Sequence, residues 1–167
     1  MQEYVSDAIV LNAEPNGDLD VRFSLFTKQF GKLKAKAKSA RKITSKLSPH
    51  LQAGNLVRVR IVEKNGLQVV DALKQSSIGI SPPTLYFLDQ IVAEGVPEPA
   101  VWQECLLGSF RWPEILRILG WDPEGASCGA CGSANPDLFH VRTQEFFCAG
   151  CSLKIPQDEV IYIRERV

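Results

Sequence analysis

The sequence predicts an α+β fold with three parts: an N-terminal five-stranded β-barrel, a small central helical region and a C-terminal four-cysteine zinc module. Three observations carry this. Residues 1–78 hold five strand-like runs divided by turn signals. Residues 84–119 change to helical spacing. Two C-x2-C pairs then close the chain. The expected divisions are residues 1–78, 79–125 and 126–167.

The five runs are YVSDAIVL, DVRFSLF, KLKAKAK, LVRVRIVE and LQVVDAL. Pro15-Asn16-Gly17-Asp18, Gly31, Pro49, Gly54-Asn55 and Asn65-Gly66 separate them. Asn65-Gly66 is a strong hairpin signal, because both residues tolerate the left-handed backbone a tight turn needs. A long polar connection, residues 39–52, follows the third run and has room for a short helix. Five strands with the long connection after the third fit a closed OB-type barrel, with an SH3-like barrel as the alternative.

The third run decides the function class. Lys32, Lys34, Lys36 and Lys38 occupy every second position, the period of a strand whose side chains alternate between faces. Leu33, Ala35 and Ala37 then pack inward. A row of ammonium groups is favourable only when something anionic lies across it. Residues 28–46 hold eight cations, adding Lys28, Arg41, Lys42 and Lys46, and no acid. Arg22 in the second run and Arg58 and Arg60 in the fourth share the outward parity. Such a surface suits a nucleic-acid backbone. The competing reading is an edge strand that uses lysine against aggregation, for which one or two lysines are enough. Phe30, in the turn before Gly31, is a candidate stacking platform for bases. Phe26 has the parity of the cations and is balanced between stacking and core.

The overall charge of zero hides a division along the chain. Residues 1–80 carry 13 Lys+Arg against 7 Asp+Glu, residues 81–127 carry 2 against 7, and residues 128–167 carry 4 against 5. Modules with different partners are implied. The N-terminus lacks the basic start and long apolar run of a signal peptide. No stretch approaches the ~20 apolar residues of a membrane span. A cytoplasmic protein is expected, and five cysteines in that compartment argue for metal over disulfides.

In the middle segment Leu85, Leu88 and Val92 recur at near-helical spacing. A second helix is expected after Pro97 and Pro99, and a third at Pro113, ending at Gly120. Trp102, Phe110, Trp112 and Trp121 provide packing bulk. Cys105, in an apolar run, reads as a small buried hydrophobe.

Cys128, Cys131, Cys148 and Cys151 form C-x2-C-x16-C-x2-C. Two intervening residues let one turn aim two sulfurs at one metal, and two such turns complete a tetrahedron. One structural zinc is expected, since four thiolates leave no position for a reacting group. FHVRTQEFF between the pairs can form the strands of a zinc ribbon. A redox role for either pair is disfavoured by the absence of a thioredoxin-like βαβ setting. His140 is a substitute ligand only if a cysteine drops out, and His50 points to nothing specific.

No P-loop, GxSxG, HExxH or GxGxxG motif is present. No acid pair or His-x-Glu zinc site suggests catalysis, so a non-enzyme without a small-molecule substrate is expected.

The run SLFTKQFGKLKAKAKSARKITSKLSPHLQ resembles the N-terminal domain of the RecO family. The features that carry the resemblance are Leu25-Phe26-Thr27, Gly31, the basic strand 32–38, Ala40-Arg41-Lys42 and Leu51-Gln52. The order barrel, helices, four cysteines continues it. The resemblance implies a non-catalytic recombination mediator in DNA repair. Such a protein binds single- and double-stranded DNA, anneals complementary strands, acts with RecR and assists RecA loading on DNA covered by single-stranded DNA-binding protein (SSB). Lys32, Lys34, Lys36, Lys38, Arg41 and Lys42 would form the DNA face. The helical segment is shorter than is usual in the family and acidic. Like charge makes it a poor receptor for the acidic SSB tail, so that site is not carried over. An RNA-binding or ribosome-associated module using the same barrel and ribbon is the alternative function.

Overall fold

Alternation in LVRVRIV becomes β4 (Asn55–Glu63), with Val57, Val59 and Ile61 buried and Arg58 and Arg60 exposed. The other strands of the first half are β1 (Glu3–Asn16), β2 (Asp20–Thr27), β3 (Gly31–Ala37) and β5 (Leu67–Ser77). In this computed structural model, which describes residues 1–164, the five close into a barrel in the order β1-β2-β3-β5-β4. All pairings are antiparallel except the closing one, a single parallel bridge between Lys36 of β3 and Gln68 of β5. The β4–β5 hairpin turns at Asn65 and Gly66, both at positive φ (51° and 97°), as the dipeptide predicts.

Inside the barrel lie Ala8, Val10, Phe23, Leu25, Ala35, Ala37, Val57, Val59, Ile61, Val69 and Ala72. Ala40 and Leu51, from the connection 39–52, join this core. The connection itself forms successive turns and no helix, correcting that expectation. Its backbone bonds are local: the Lys42 N–H donates to the Ser39 carbonyl, Ser45 to Lys42 and Leu51 to Leu47.

The outside of the barrel is not all solvent. β1 is buried on successive residues, Ala8 to Leu11, and β2 from Phe23 to Thr27. A strand buried without alternation is covered on both faces. The cover is α1 (Pro82–Ile91) and α2 (Pro99–Leu106). Both begin at prolines, whose missing N–H is no loss in a first turn. Leu85, Leu88 and Val92 of the α1 segment are buried, and so are Val101, Trp102 and Cys105 of α2. Phe26, projecting outward from β2, meets Trp102 edge-to-face at 5.7 Å. Phe26 is therefore core, which settles the balance left by the sequence. Burial pushes the Cys105 thiol up to about 12, helped by Glu104.

The α1–α2 connection also seals part of β3. The Gly95 N–H donates to the Lys32 carbonyl at 2.9 Å, and Glu94 bridges to Lys32 in parallel fashion. Gly31 (φ +72°) makes this approach possible, since any Cβ there would fall on the Val96 backbone.

Two compact units divide after Gly108, so that α1 and α2 belong with the barrel. The second unit begins at Ser109 and contains α3 (Trp112–Ile118) and a three-stranded sheet. The sheet order is β7 (Glu145–Phe147), β6 (Leu138–His140), β8 (Val160–Tyr162), both pairings antiparallel. FHVRTQEFF supplies strands, as the sequence allowed, and β6 and β7 pair antiparallel. Phe139 is fully buried, with Trp121 and Phe146 each at 5.1 Å. Gly120 follows α3 at φ +102°, as expected of a helix stop. Residues 165–167 lie outside the described residues. No helix among the described residues is long and apolar enough to cross a membrane.

Candidate nucleic-acid surface and metal centre

The pleat of β3 sends Lys32, Lys34 and Lys36 outward, and register sets them opposite Phe26, Ser24 and Arg22 of β2. The row is split by what lies over it. Lys32 is 6% exposed, under α1. Its Nζ donates to the Asp89 carbonyl oxygen and lies 3.7 Å from the Asp89 carboxylate, which also accepts from the Ser24 hydroxyl. Lys32 is thus a buried fastening between strand and helix, and the expectation that it faces a ligand is withdrawn. Lys34 sits 3.4 Å from Glu94, and Lys36 2.7 Å from Asp20. The Lys36 bond, followed by the Ser39 N–H, holds the Asp20 carboxyl below its ordinary range, and Lys38 adds to this from further away. The anions that the lysine row requires are supplied largely by the chain itself.

The same holds on the far side of the barrel. Arg58 bonds Asp7 at 3.1 Å and Arg60 bonds Glu3 at 3.3 Å, both between β4 and β1. Exposed pairs of this kind stabilise little, but they remove net charge from that face.

The unpaired cations lie elsewhere. Arg22, Lys28, Lys38, Arg41, Lys42 and Lys46 are exposed and have no carboxylate within 4 Å among the described residues. Lys38, Arg41, Lys42 and Lys46 belong to the end of β3 and the turns after it. Arg41 and Lys42 line an open groove of about 720 Å³ between these turns and the β1–β2 side of the barrel. The groove wall also includes Asn12, Ala13, Val21, Ile43 and Gln52, and it contains no acid. Phe30 is half-buried, its ring edge-to-face with Tyr4 at 5.0 Å, and its N–H donates to the Thr27 hydroxyl. It is a partly packed residue rather than a free platform.

In the second unit the four cysteine sulfurs lie within 4.8 Å of one another. The Cys131–Cys148 separation is 3.8 Å. A tetrahedron with metal–sulfur bonds of about 2.3 Å has edges of about 3.8 Å, so the donor set is shaped for one thiophilic ion. Local turns build it. The Cys128 N–H donates to the Ser133 carbonyl, Gly132 to Cys128, Gly129 to Phe146 of β7, and Ser152 to Cys148. N–H groups of Cys131, then Cys148 and Ala130, pull the Cys128 thiol down to about 6. The Ser133 hydroxyl and N–H lower Cys131. Cys151, through hydrogen bonds with the Cys148, Cys131 and Cys128 sulfurs, is pushed up to about 12. Four sulfurs so close cannot all be anions without a cation among them.

His140 is not part of this cluster. Its ring nitrogens lie 2.8 Å from the Thr143 hydroxyl and 2.9 Å from a Glu159 oxygen. His140, then Arg142, depresses the Glu159 carboxyl. This set ties the β6–β7 turn to the start of β8.

The family model for the N-terminal domain of recombination protein O matches residues 1–78, which are the barrel strands. A DNA repair protein RecO of Cutibacterium acnes is 33% identical over 201 residues, covering 98% of this chain and 82% of that protein. The chain belongs to the RecO family. A RecO of Geobacter metallireducens is 25% identical, covering 90% of this chain and 73% of its own length. One from Nocardioides sp. is 27% identical, at 82% and 68%. The match to RecO proteins therefore runs through helices and cysteines as well as the barrel.

The residue that sequence reasoning missed is Asp89, the partner of both Lys32 and Ser24. Its signal was available in β1 and β2: AIVL is apolar without alternation and Phe26 puts a large apolar ring on the outer parity of β2, so a cover over their outer side was needed. Ser24 and Lys32 share that side.

Proposed function

We propose that this chain is a non-catalytic DNA-binding mediator of recombinational repair, with an OB-type barrel as its DNA-binding part and a zinc ribbon-like module as its second unit. The acid-free groove flanked by Arg41 and Lys42 carries this reading. Cations without internal partners are free to replace the counterions of a phosphate backbone. The relatives' names point the same way, since each is called a DNA repair protein. Arg22, Lys28, Lys38, Arg41, Lys42 and Lys46 are the proposed contacts. Lys34, Lys36, Arg58 and Arg60 would contribute only by exchanging their carboxylate partners for phosphate. Annealing of complementary strands and cooperation with RecR are the roles that the family resemblance implies.

Zinc is the proposed ion, because four thiolates at tetrahedral spacing suit it and leave no site for chemistry. Binding of such an ion contributes roughly 10–16 kcal/mol to small zinc folds. Metal analysis of protein purified without chelator should give one zinc per chain, and four reactive thiols with no zinc would reject this assignment.

The functional test is a mixing assay with labelled complementary oligonucleotides. The protein should accelerate annealing, and its DNA affinity should fall with salt by about 0.7 log units of affinity per log unit of salt for each single-strand phosphate contact. Preferential binding of RNA in a direct competition would favour the ribosome-associated reading instead.

A further inference from the structure

The four sulfurs of the metal centre are alike in chemistry and unlike in access. Cys128 is 2% exposed, Cys148 and Cys151 are half-buried, and Cys131 is exposed. The cause is local. Ala130, Gly132, Ser133 and Ala134, the neighbours of Cys131, are small and themselves exposed, so its own turn has no side chain large enough to roof its sulfur. Cys128 lies beneath the same turn, its N–H donating to the Ser133 carbonyl and its carbonyl accepting from Gly132.

Two contacts single out Cys131 further. Its Sγ lies 3.8 Å from the Cys148 Sγ and 2.8 Å from the Ser133 hydroxyl. A coordinated thiol is deprotonated by its cation, so the hydroxyl donates to the sulfur. Such a bond draws electron density from a thiolate and slows its attack on an electrophile. An accessible thiolate beside a second one is the arrangement that peroxides oxidise.

We infer that Cys131 is an oxidation site for peroxides, with Cys148 as its resolving partner and Ser133 as the residue that restrains it. The inference rests on the metal assignment and adds a reaction at a ligand sulfur, which needs no open position on the ion. It is a stoichiometric oxidation, not the disulfide exchange of a thioredoxin-like pair. The Cys131 thiolate attacks one oxygen of hydrogen peroxide. A sulfur–oxygen bond forms, the oxygen–oxygen bond breaks, and hydroxide leaves. The Cys148 thiolate then attacks the Cys131 sulfenic acid. A disulfide forms, the sulfur–oxygen bond breaks, and a second hydroxide leaves. Two thiolates have given two electrons to one peroxide, and two protons from water complete two molecules of water.

Two sulfurs then remain to hold the ion, too few for a closed tetrahedral site. The turns it joined lose their common anchor. One is tied to Phe146 through the Gly129 N–H, the other to the Asp137 carboxylate through the Ala149 N–H. The first unit takes no part, since its cysteine, Cys105, is buried and its thiol is pushed up to about 12.

The test uses the full chain, with its zinc content measured first. Hydrogen peroxide is added at neutral pH, a chromophoric chelator reports released zinc, and mass spectrometry maps the sulfurs. Zinc should leave as a Cys131–Cys148 disulfide forms, with Cys105 unmodified. Proteolysis should then cut residues 109–164 and spare residues 1–108. A dithiol reductant with added zinc should reverse both changes. Ser133→Ala should release zinc about tenfold faster under peroxide, the rate factor for losing one weak hydrogen bond to the attacking thiolate, and no faster without peroxide. Ser133→Thr should restore the slower rate, which a merely structural loss would not allow. Zinc retained at a peroxide concentration that oxidises free glutathione overturns the inference and leaves the metal assignment standing. Oxidation that begins at Cys151 or Cys128 overturns the choice of Cys131, and an unchanged rate in Ser133→Ala overturns the role of Ser133. A chain without zinc before peroxide is added overturns both the metal assignment and the inference.

Discussion

Two stretches of the same basic segment differ in what they touch. Along β3, Lys32, Lys34 and Lys36 each face an acid of their own chain, Asp89, Glu94 and Asp20. In the turns that follow, Arg41, Lys42 and Lys46 face none among the described residues. The strand looks the stronger DNA site by charge count, yet its cations are partly spent on holding helix and hairpin in place. The turns have fewer constraints and more free charge. Availability is set by internal partners, which strand periodicity alone does not reveal.

Substitution at Lys32 should give the largest effect and the clearest break between the two regions. Lys32→Ala leaves the Asp89 carboxylate buried without its cation, and removal of one partner from such a pair costs about 3–5 kcal/mol. Urea unfolding should report that loss, while the protein that remains folded binds DNA with little change. A normal unfolding midpoint together with weakened binding would return Lys32 to the DNA surface.

Arg41→Glu with Lys42→Glu should do the opposite. Single-strand affinity should fall on the order of 100-fold, about 2.7 kcal/mol, with the unfolding midpoint unchanged because both residues are exposed. If each meets one phosphate, the salt dependence should become shallower by about 1.4. Titrations at several salt concentrations measure both quantities, and an unaltered slope would put the contacts elsewhere.

Phe30 precedes both regions, in the turn before β3, and is expected to behave as a packing residue. A double-mutant cycle of Phe30→Ala and Tyr4→Ala should show a coupling of about 0.5–1.5 kcal/mol in stability. A larger loss in single-strand binding than in stability would restore it as a stacking platform.

The smallest effect concerns Lys36 and Asp20. The Asp20 carboxyl is lowered in the folded chain, so its stabilising pair is fully present above the ordinary carboxylate value of about 3.9. That contribution fades as pH falls through the lower, folded value. Lys36→Met should therefore be slightly less stable than the unaltered chain at neutral pH, and the gap should narrow as pH falls below about 3.9. Parallel urea titrations at neutral and at acid pH would show it, and a gap that widens in acid would contradict the pairing.

Much of the fold was legible because its signals are local. Asn65-Gly66 marked a hairpin, prolines marked the helix starts, Gly120 marked a stop, and cysteine spacing brought four sulfurs together. The fate of the lysine row was harder to see. Lys32 meets Asp89 across 57 residues of sequence, and no periodicity connects them. The polar turns 39–52 were also opaque to helix rules, because Ala40 and Leu51 are anchored by the barrel interior rather than by each other. Groove and free cations emerge only once those anchors fix the path of the turns.

The close approach at Gly31 has a consequence for how the chain is made. Strands β1 to β5 are complete by Ser77, but the segment that lies on the free edge of β3 is residues 94–96. During N-to-C synthesis the barrel therefore emerges with an unzipped seam beside β3, where only Lys36 and Gln68 join across to β5. An open strand edge is a template for pairing with another chain. A fragment ending at residue 78 should self-associate in gel filtration, whereas one ending at residue 108 should run as a monomer. The stretch that follows the barrel is thus its zip as well as its neighbour, and its translation is the moment at which the first unit becomes safe to release.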